Sequence, residues 1–191
     1  MLDLTQGTWL NPPPHWVASA GELRISTGDK TDFWRTTYYG FERDSGHFYH
    51  WTVRGDFTAS LTFDGRYEQL YDQAGLMLRI DEQNWIKLGV EFSDGAQNFS
   101  FVCTRGVSDW SVVRFARLDG PQTIRITRIG TAAIADYRTE AGTWQMLRVC
   151  PFPDAADILV GPMACSPQRA GFDADFRAFD IGTPLANPLH G

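Results

Sequence analysis

Residues 70–92, LYDQAGLMLRIDEQNWIKLGVEF, constrain the fold of this chain more than any other segment. They hold two strand-like runs, preceded by a polar turn and closed by the hairpin turn Ser93-Asp94-Gly95. Successive side chains of a strand point to opposite faces. In the second run Ile86, Leu88, Val90 and Phe92 therefore share one face, and Trp85, Lys87, Gly89 and Glu91 share the other. The apolar set belongs against a core between sheets. The opposite set joins an indole, an ammonium and a carboxylate, with a glycine leaving room between them. That is the composition of a face that receives something.

The rest of the chain extends the strand pattern. Phe57, Ala59, Leu61 and Phe63 alternate with Thr58, Ser60 and Thr62. Phe99, Phe101 and Cys103 fall on one side of residues 97–104, and Phe172, Ala174 and Phe176 alternate near the end. Gly130 separates residues 123–129 from 131–138 as a hairpin turn would. A short helical turn is expected near Asp154. Runs of this length, divided by glycine-rich turns and lacking helical periodicity, predict an all-β sandwich or barrel of antiparallel sheets. Linkers and repeats are absent, so residues 1–182 are read as one domain and residues 183–191 as a C-terminal tail.

Charge and cysteine usage narrow the function. Against 23 Asp and Glu the chain sets 17 Lys and Arg, a formal net charge of −6 with no basic run. Nucleic acid is therefore not an expected partner, since phosphate binding needs clustered positive charge. Apolar stretches fall short of the ~18–20 residues of a membrane helix, and the opening MLDLTQGTWLNPPP lacks the layout of a secretory signal. Neither a membrane partner nor secretion is expected. The three cysteines, Cys103, Cys150 and Cys165, are without CxxC spacing, which suits a reduced, cytoplasmic compartment.

Several motifs carry a family resemblance. They are Asn11-Pro12-Pro13, Asp32-Phe33-Trp34-Arg35, Asp44-Ser45-Gly46-His47-Phe48, Tyr71-Asp72-Gln73-Ala74-Gly75, Asn84-Trp85-Ile86-Lys87 and Ser108-Asp109-Trp110-Ser111. Together they resemble the uncharacterised bacterial and fungal domains grouped with the fungal regulation-of-enolase protein, in the concanavalin-like lectin and glucanase superfamily. The resemblance runs from residue 10 to about residue 179. It implies a concanavalin-like jelly-roll sandwich of two antiparallel sheets, and it supplies no established activity, which must be argued from the site.

Carbohydrate or polyol binding is the first functional expectation. Sugars present flat C–H faces and rings of hydroxyls, so their sites combine aromatic platforms with polar groups. Trp85 is the expected platform, with Lys87, Glu91, Asp72 and Gln73 taking hydroxyls. Trp110 beside Asp109, and Trp34 beside Arg35, repeat the combination, and His47 joins the set through its motif. Against this stands the general tendency of tryptophan to pack in a core with its N–H satisfied locally.

Glycoside hydrolysis is the runner-up. It needs two carboxyl groups flanking the scissile bond, and the Glu-x-Asp-x-x-Glu strand motif of jelly-roll glucanases occurs nowhere in the chain. Asp72 and Asp109 are the candidate second acids. Glu91 beside Lys87 is expected to stay ionised, a hydroxyl acceptor rather than a proton donor, so no catalytic residue is assigned. Asp173 and Asp175 alternate with apolar residues and belong to a solvated outer face. A third reading, a protein-interaction module regulating a metabolic enzyme, is implied by the family and leaves the protein partner unknown. No metal site or cofactor is expected: His47 and His50 point to opposite faces of one strand, and His15 and His190 stand alone near the termini. Cys103 is read as buried and inert.

Overall fold

A computed structural model describes residues 1–114 and 120–189; His190 lies outside the described residues. Among the described residues the regular elements are strands alone: β1 (Thr8–Leu10), β2 (His15–Ala18), β3 (Glu22–Ser26), β4 (Phe33–Arg35), β5 (Glu42–Asp44), β6 (His47–Val53), β7 (Phe57–Gly65) and β8 (Gln73–Arg79), followed by β9 (Asn84–Ser93), β10 (Ala96–Arg105), β11 (Val107–Arg114), β12 (Gln122–Ile129), β13 (Ala132–Arg138), β14 (Trp144–Pro151), β15 (Ile158–Cys165) and β16 (Asp173–Gly182). The helical turn expected near Asp154 is irregular chain instead.

The strands form two seven-stranded sheets. The first has the order β1-β6-β15-β8-β9-β10-β11, the second β14-β13-β12-β7-β16-β3-β2, and β4-β5 is a separate hairpin. All of these pairings are antiparallel. The all-β architecture of two antiparallel sheets is therefore the one that the strand pattern calls for.

The core lies between the sheets. Ile86, Leu88 and Val90 from β9 and Phe99, Phe101 and Cys103 from β10 meet Phe57, Ala59, Leu61 and Phe63 from β7 and Phe176 from β16. Phe92 departs from the expectation. It is only half-buried, one residue from the end of the strand: it pairs with Gln97 of β10 on one side, while on the other its backbone bonds Tyr71 N and Asp72 O, ahead of the start of β8. Asp173 and Asp175 sit on the outer face, paired with Arg66 and Arg24. In β16 both Phe176 and Phe179 reach the core although they are three apart. A bulge resolves the parity: the register shifts between Arg177 and Asp180, and Ala178 takes φ of 50°.

The turn Asp94-Gly95 uses left-handed backbone at both residues, φ 52° and 72°, and joins β9 to β10 in the register Ser93↔Ala96. This is the geometry that a two-residue hairpin turn requires. Gly75 of β8 and Gly89 of β9 face each other directly. A Cβ on Gly75 would run into Leu88 O, and one on Gly89 into Ala74 O. The glycine between Lys87 and Glu91 therefore serves close backbone approach and does not open space for a ligand. Gly89→Ala is expected to cost about 2–3 kcal/mol by overpacking. Gly182→Ala, where the added methyl meets nothing within 4 Å, should stay within about 0.5 kcal/mol. Urea unfolding of the two variants checks the contrast.

Candidate functional site

The middle of the first sheet's outer face is closed off from solvent. A second apolar cluster covers it, made of Phe48, Met77, Trp85, Val102, Met163 and Cys165 from the sheet with Phe33 and Trp34 from β4 above them. The covering hairpin is fastened at several points. Arg79 of β8 holds Asp44 through two bonds of 2.6 and 2.9 Å, and Asn11 Nδ2 donates to Asp44 O and Gly46 O at 2.8 and 3.0 Å. His47 braces the same region: its Nε2 accepts from Gly28 N at 2.9 Å and its Nδ1 donates to Asn11 O at 2.7 Å. Burial lowers the pKa of this imidazole, in keeping with a neutral ring that both gives and accepts.

Between the hairpin and the sheet remains a cavity of about 310 Å³. Gln73, Lys87, Glu91 and Val102 form its floor, and Trp34, Tyr39, Phe41, Tyr71 and Trp110 its walls. The wall is a linked set of rings: Trp34 meets Tyr39 edge-on at 5.6 Å and Trp110 at 6.4 Å, Trp110 meets Tyr71 at 6.3 Å, and the Tyr39 and Tyr71 hydroxyls bond at 2.8 Å. Both indoles are satisfied locally, Trp34 by Thr37 O and Trp110 by Ser100 Oγ. Their faces and edges are therefore what the cavity receives.

The floor carries the polar chemistry. Lys87 Nζ donates to Phe33 O at 2.8 Å and lies 3.3 Å from Asp32 Oδ1. Burial pulls its ammonium pKa down, but the negative charges around it, Asp32 foremost, leave it above the ordinary value. Glu91 is different. Its Oε1 is buried without a hydrogen-bond partner among the described residues. Burial pushes its carboxyl up to about 7; Lys87 pulls it down, Asp32 adds to the rise, and the Ser100 hydroxyl opposes it. The expectation of a firmly ionised Glu91 is thus corrected: desolvation outweighs the neighbouring ammonium, and the group titrates near neutrality.

Of the residues singled out from sequence, Trp34, Gln73, Lys87, Glu91 and Trp110 line this one cavity. Trp85 does not. It is 1% exposed beneath Phe33, ring centroids 6.1 Å apart, with Nε1 donating to Glu82 O. Asp72 does not either: it is fully buried and accepts from Glu68 N, Gln69 N and Arg169. That pair anchors the loop whose Pro167 and Gln168 reach the cavity rim. Asp109 points away, bonded to Arg148 of β14 at 2.7 Å, and borders a neighbouring groove. His47 is part of the frame. Asp32, Arg43, Tyr39, Phe41 and Tyr71 line the cavity without having been chosen. Asp32 and Tyr71 stood in the quoted motifs, whereas Tyr39 and Phe41 lie on the hairpin tip and Arg43 in the three-residue β5, too short for a strand period to place it. Among the described residues no group of three or more His, Cys, Asp or Glu is arranged to hold a metal ion. Nor is any helix there long and apolar enough to cross a membrane.

The elevated Glu91 pKa has a consequence for stability. A carboxyl that titrates near 4.5 in the unfolded chain and near 7 when folded favours the folded state fully below pH 4.5. That advantage is lost as pH rises through 7. The contribution of Glu91 should therefore fall between pH 5 and pH 8, by at most about 3 kcal/mol, while His47 and His50, whose pKa values burial lowers, act in the opposite direction over the same range. Glu91→Gln should remove this one contribution and gain stability relative to wild type mainly at the higher pH. Denaturant midpoints of both proteins across the range measure the effect.

Comparison with known proteins agrees with this architecture. The chain is 43% identical over 188 residues to "Regulation of enolase protein 1" of Saccharomyces cerevisiae, covering 98% of this chain and 95% of that protein. A crystal structure of a functionally unknown Saccharomyces cerevisiae protein superposes with a TM-score of 0.92 at 43% identity, covering 96% of this chain and all of the other. The fold alone is shared with a Bacteroides ovatus xyloglucan-locus GH43 protein, TM-score 0.69 at 20% identity over 96% of this chain and 38% of that one. It is shared too with a legume lectin-like domain of Entamoeba histolytica, TM-score 0.64 at 11% identity over 95% and 92%. These neighbours are jelly rolls, as this chain is. A family model described as "Protein of unknown function (DUF1349)" matches residues 9–184, and the chain belongs to that family.

Proposed function

We propose that the cavity under the β4-β5 hairpin binds a carbohydrate or similar polyol. The observation that carries this reading is the buried, unpartnered Glu91 Oε1 beneath a wall of aromatic rings. A buried polar atom without a partner costs about 1–3 kcal/mol, and a ligand hydroxyl would remove that cost. Ring faces of Trp34 and Trp110 suit sugar C–H surfaces, and Gln73 adds a second polar group on the floor. The volume of about 310 Å³ lies at the small end of ligand pockets, roughly 300–1,000 Å³, which suits a single sugar unit. Cytoplasmic residence belongs to the same reading, with three buried free cysteines as its support.

Two observations keep other readings in play. Asp32 and Glu91 are two carboxyl groups lining one cavity, and burial pushes the Glu91 carboxyl up to about 7; a glycoside hydrolase uses two carboxyl groups, one of them with a raised pKa. Reducing-sugar release from a glycan panel, abolished in both Asp32→Asn and Glu91→Gln, would replace binding by hydrolysis. The name of the Saccharomyces cerevisiae relative supports a regulatory protein contact as the third reading, with enolase itself the partner to test by co-purification.

For the binding reading, isothermal calorimetry against neutral sugars and polyols is expected to give saturable binding. Trp110→Ala should weaken it about two- to tenfold, since an aromatic contact is worth roughly 0.5–1.5 kcal/mol. Glu91→Gln should weaken it by a similar factor while the fold is retained. Unchanged affinity in both variants, or no binding at all, would remove the cavity from consideration as a sugar site.

A further inference from the structure

The rim and the floor of the cavity differ in charge. On the floor, the Lys87 ammonium is answered by Asp32 and the Phe33 carbonyl. At the rim stand two exposed cations, Lys30 and Arg43. Arg43 has the Phe41 ring 5.4 Å away, and among the described residues no carboxylate reaches it within ion-pair distance. Among the described residues Lys30 has only its chain neighbour Asp29 within ion-pair distance, at 4.0 Å with both side chains well exposed. In a chain of net charge −6, two such cations at one cavity mouth run against composition.

We propose that the ligand of this site is a sugar carrying an anionic group, a carboxylate or a phosphate, bound with its hydroxyls toward Glu91 and its charge between Arg43 and Lys30. The inference rests on the carbohydrate reading of the same cavity and narrows it. A guanidinium presents a planar fork of donors that matches carboxylate and phosphate oxygens, which a neutral hydroxyl ring does not exploit. Phe41, stacked on Tyr39 at 5.4 Å, gives that guanidinium an aromatic surface at the rim. On the floor the Lys87 ammonium is already matched by Asp32, and Glu91 adds a further carboxyl, so an anion finds its better place at the rim and the ligand has one favourable orientation. Positive charge at the mouth also steers an anionic ligand inward from solution.

The test compares matched ligands by calorimetry at pH 7 and low salt: glucose, glucuronate and glucose 6-phosphate, and galactose with galacturonate, beside acetate and inorganic phosphate. At least one anionic sugar is expected to bind about tenfold more tightly than its neutral counterpart, as two exposed charge pairs of up to ~1 kcal/mol each allow. That advantage should shrink as salt is raised. Arg43→Gln and Lys30→Gln, both exposed positions, should each cut the ratio of neutral to anionic dissociation constants several-fold. Uronates binding ahead of the phosphate ester identifies the carboxylate, and the reverse order the phosphate. Neutral sugars binding as well as the anionic ones would overturn this inference and leave the carbohydrate reading standing. Acetate or phosphate binding as tightly as the sugar anions would overturn it too, since the hydroxyls would then contribute nothing. Binding of no sugar at all would overturn both.

Discussion

A buried ammonium organises the outer layer of this molecule. Lys87 projects from β9 away from the inter-sheet core and is 4% exposed. Moving a charge out of water costs several kcal/mol unless partners answer it. Both partners, Asp32 and the Phe33 carbonyl, come from the chain entering β4, so satisfying Lys87 also sets where the β4-β5 hairpin lies. Phe33 then covers Trp85, Trp34 stands opposite Trp110, and Arg43 arrives at the rim. Removing Lys87 would leave Asp32 without its counter-charge and the hairpin without its central tie.

Glu91 makes the opposite choice four residues along the same face. Its burial is nearly as complete as that of Lys87, yet one oxygen has no partner among the described residues. Stable folds satisfy most of their buried polar atoms; among the described residues Trp9 Nε1, His50 Nδ1, Tyr67 OH and Arg128 Nε also lack a partner, but none of these residues lines the cavity. Asp72 accepts from two backbone amides and an arginine, and His47 uses both ring nitrogens. An unpartnered carboxyl oxygen inside a cavity, beside groups bonded in this way, is the pattern expected where stability yields to function. The frame also explains why those two residues belong to the quoted motifs without touching the cavity. One anchors the Pro167-Gln168 loop and the other ties residues 11 and 28 together.

Local pattern carried the fold a long way. The register of β9 and β10 follows from alternation alone, and Asp94-Gly95 marks their turn. Other elements were hidden by residues that break the usual signals. β15 lies between β6 and β8 but carries Gly161 and Pro162 at its centre, and proline inside a strand ordinarily argues against a central position. Here Gly161 lets the backbone of β6 come close, since a Cβ there would strike Tyr49 O. The bulge at Ala178 was equally invisible, because a two-residue period does not reveal where one strand gains an extra residue.

Sequence by itself determined which side of β9 and β10 faces the core, and so that Lys87 and Glu91 share a face with Trp85. Side-chain alternation is a property of the extended backbone and needs no distant partner. Tertiary structure alone decided what lies over that face. A hairpin some fifty residues upstream closes Trp85 into an apolar cluster, brings Asp32 to Lys87, and supplies Trp34 as a wall in its place. The same packing withdrew water from Glu91 and raised its pKa to about 7. Burial is set by everything that packs around a group, so charge spacing along one strand shows the Lys87–Glu91 attraction but not the desolvation that exceeds it.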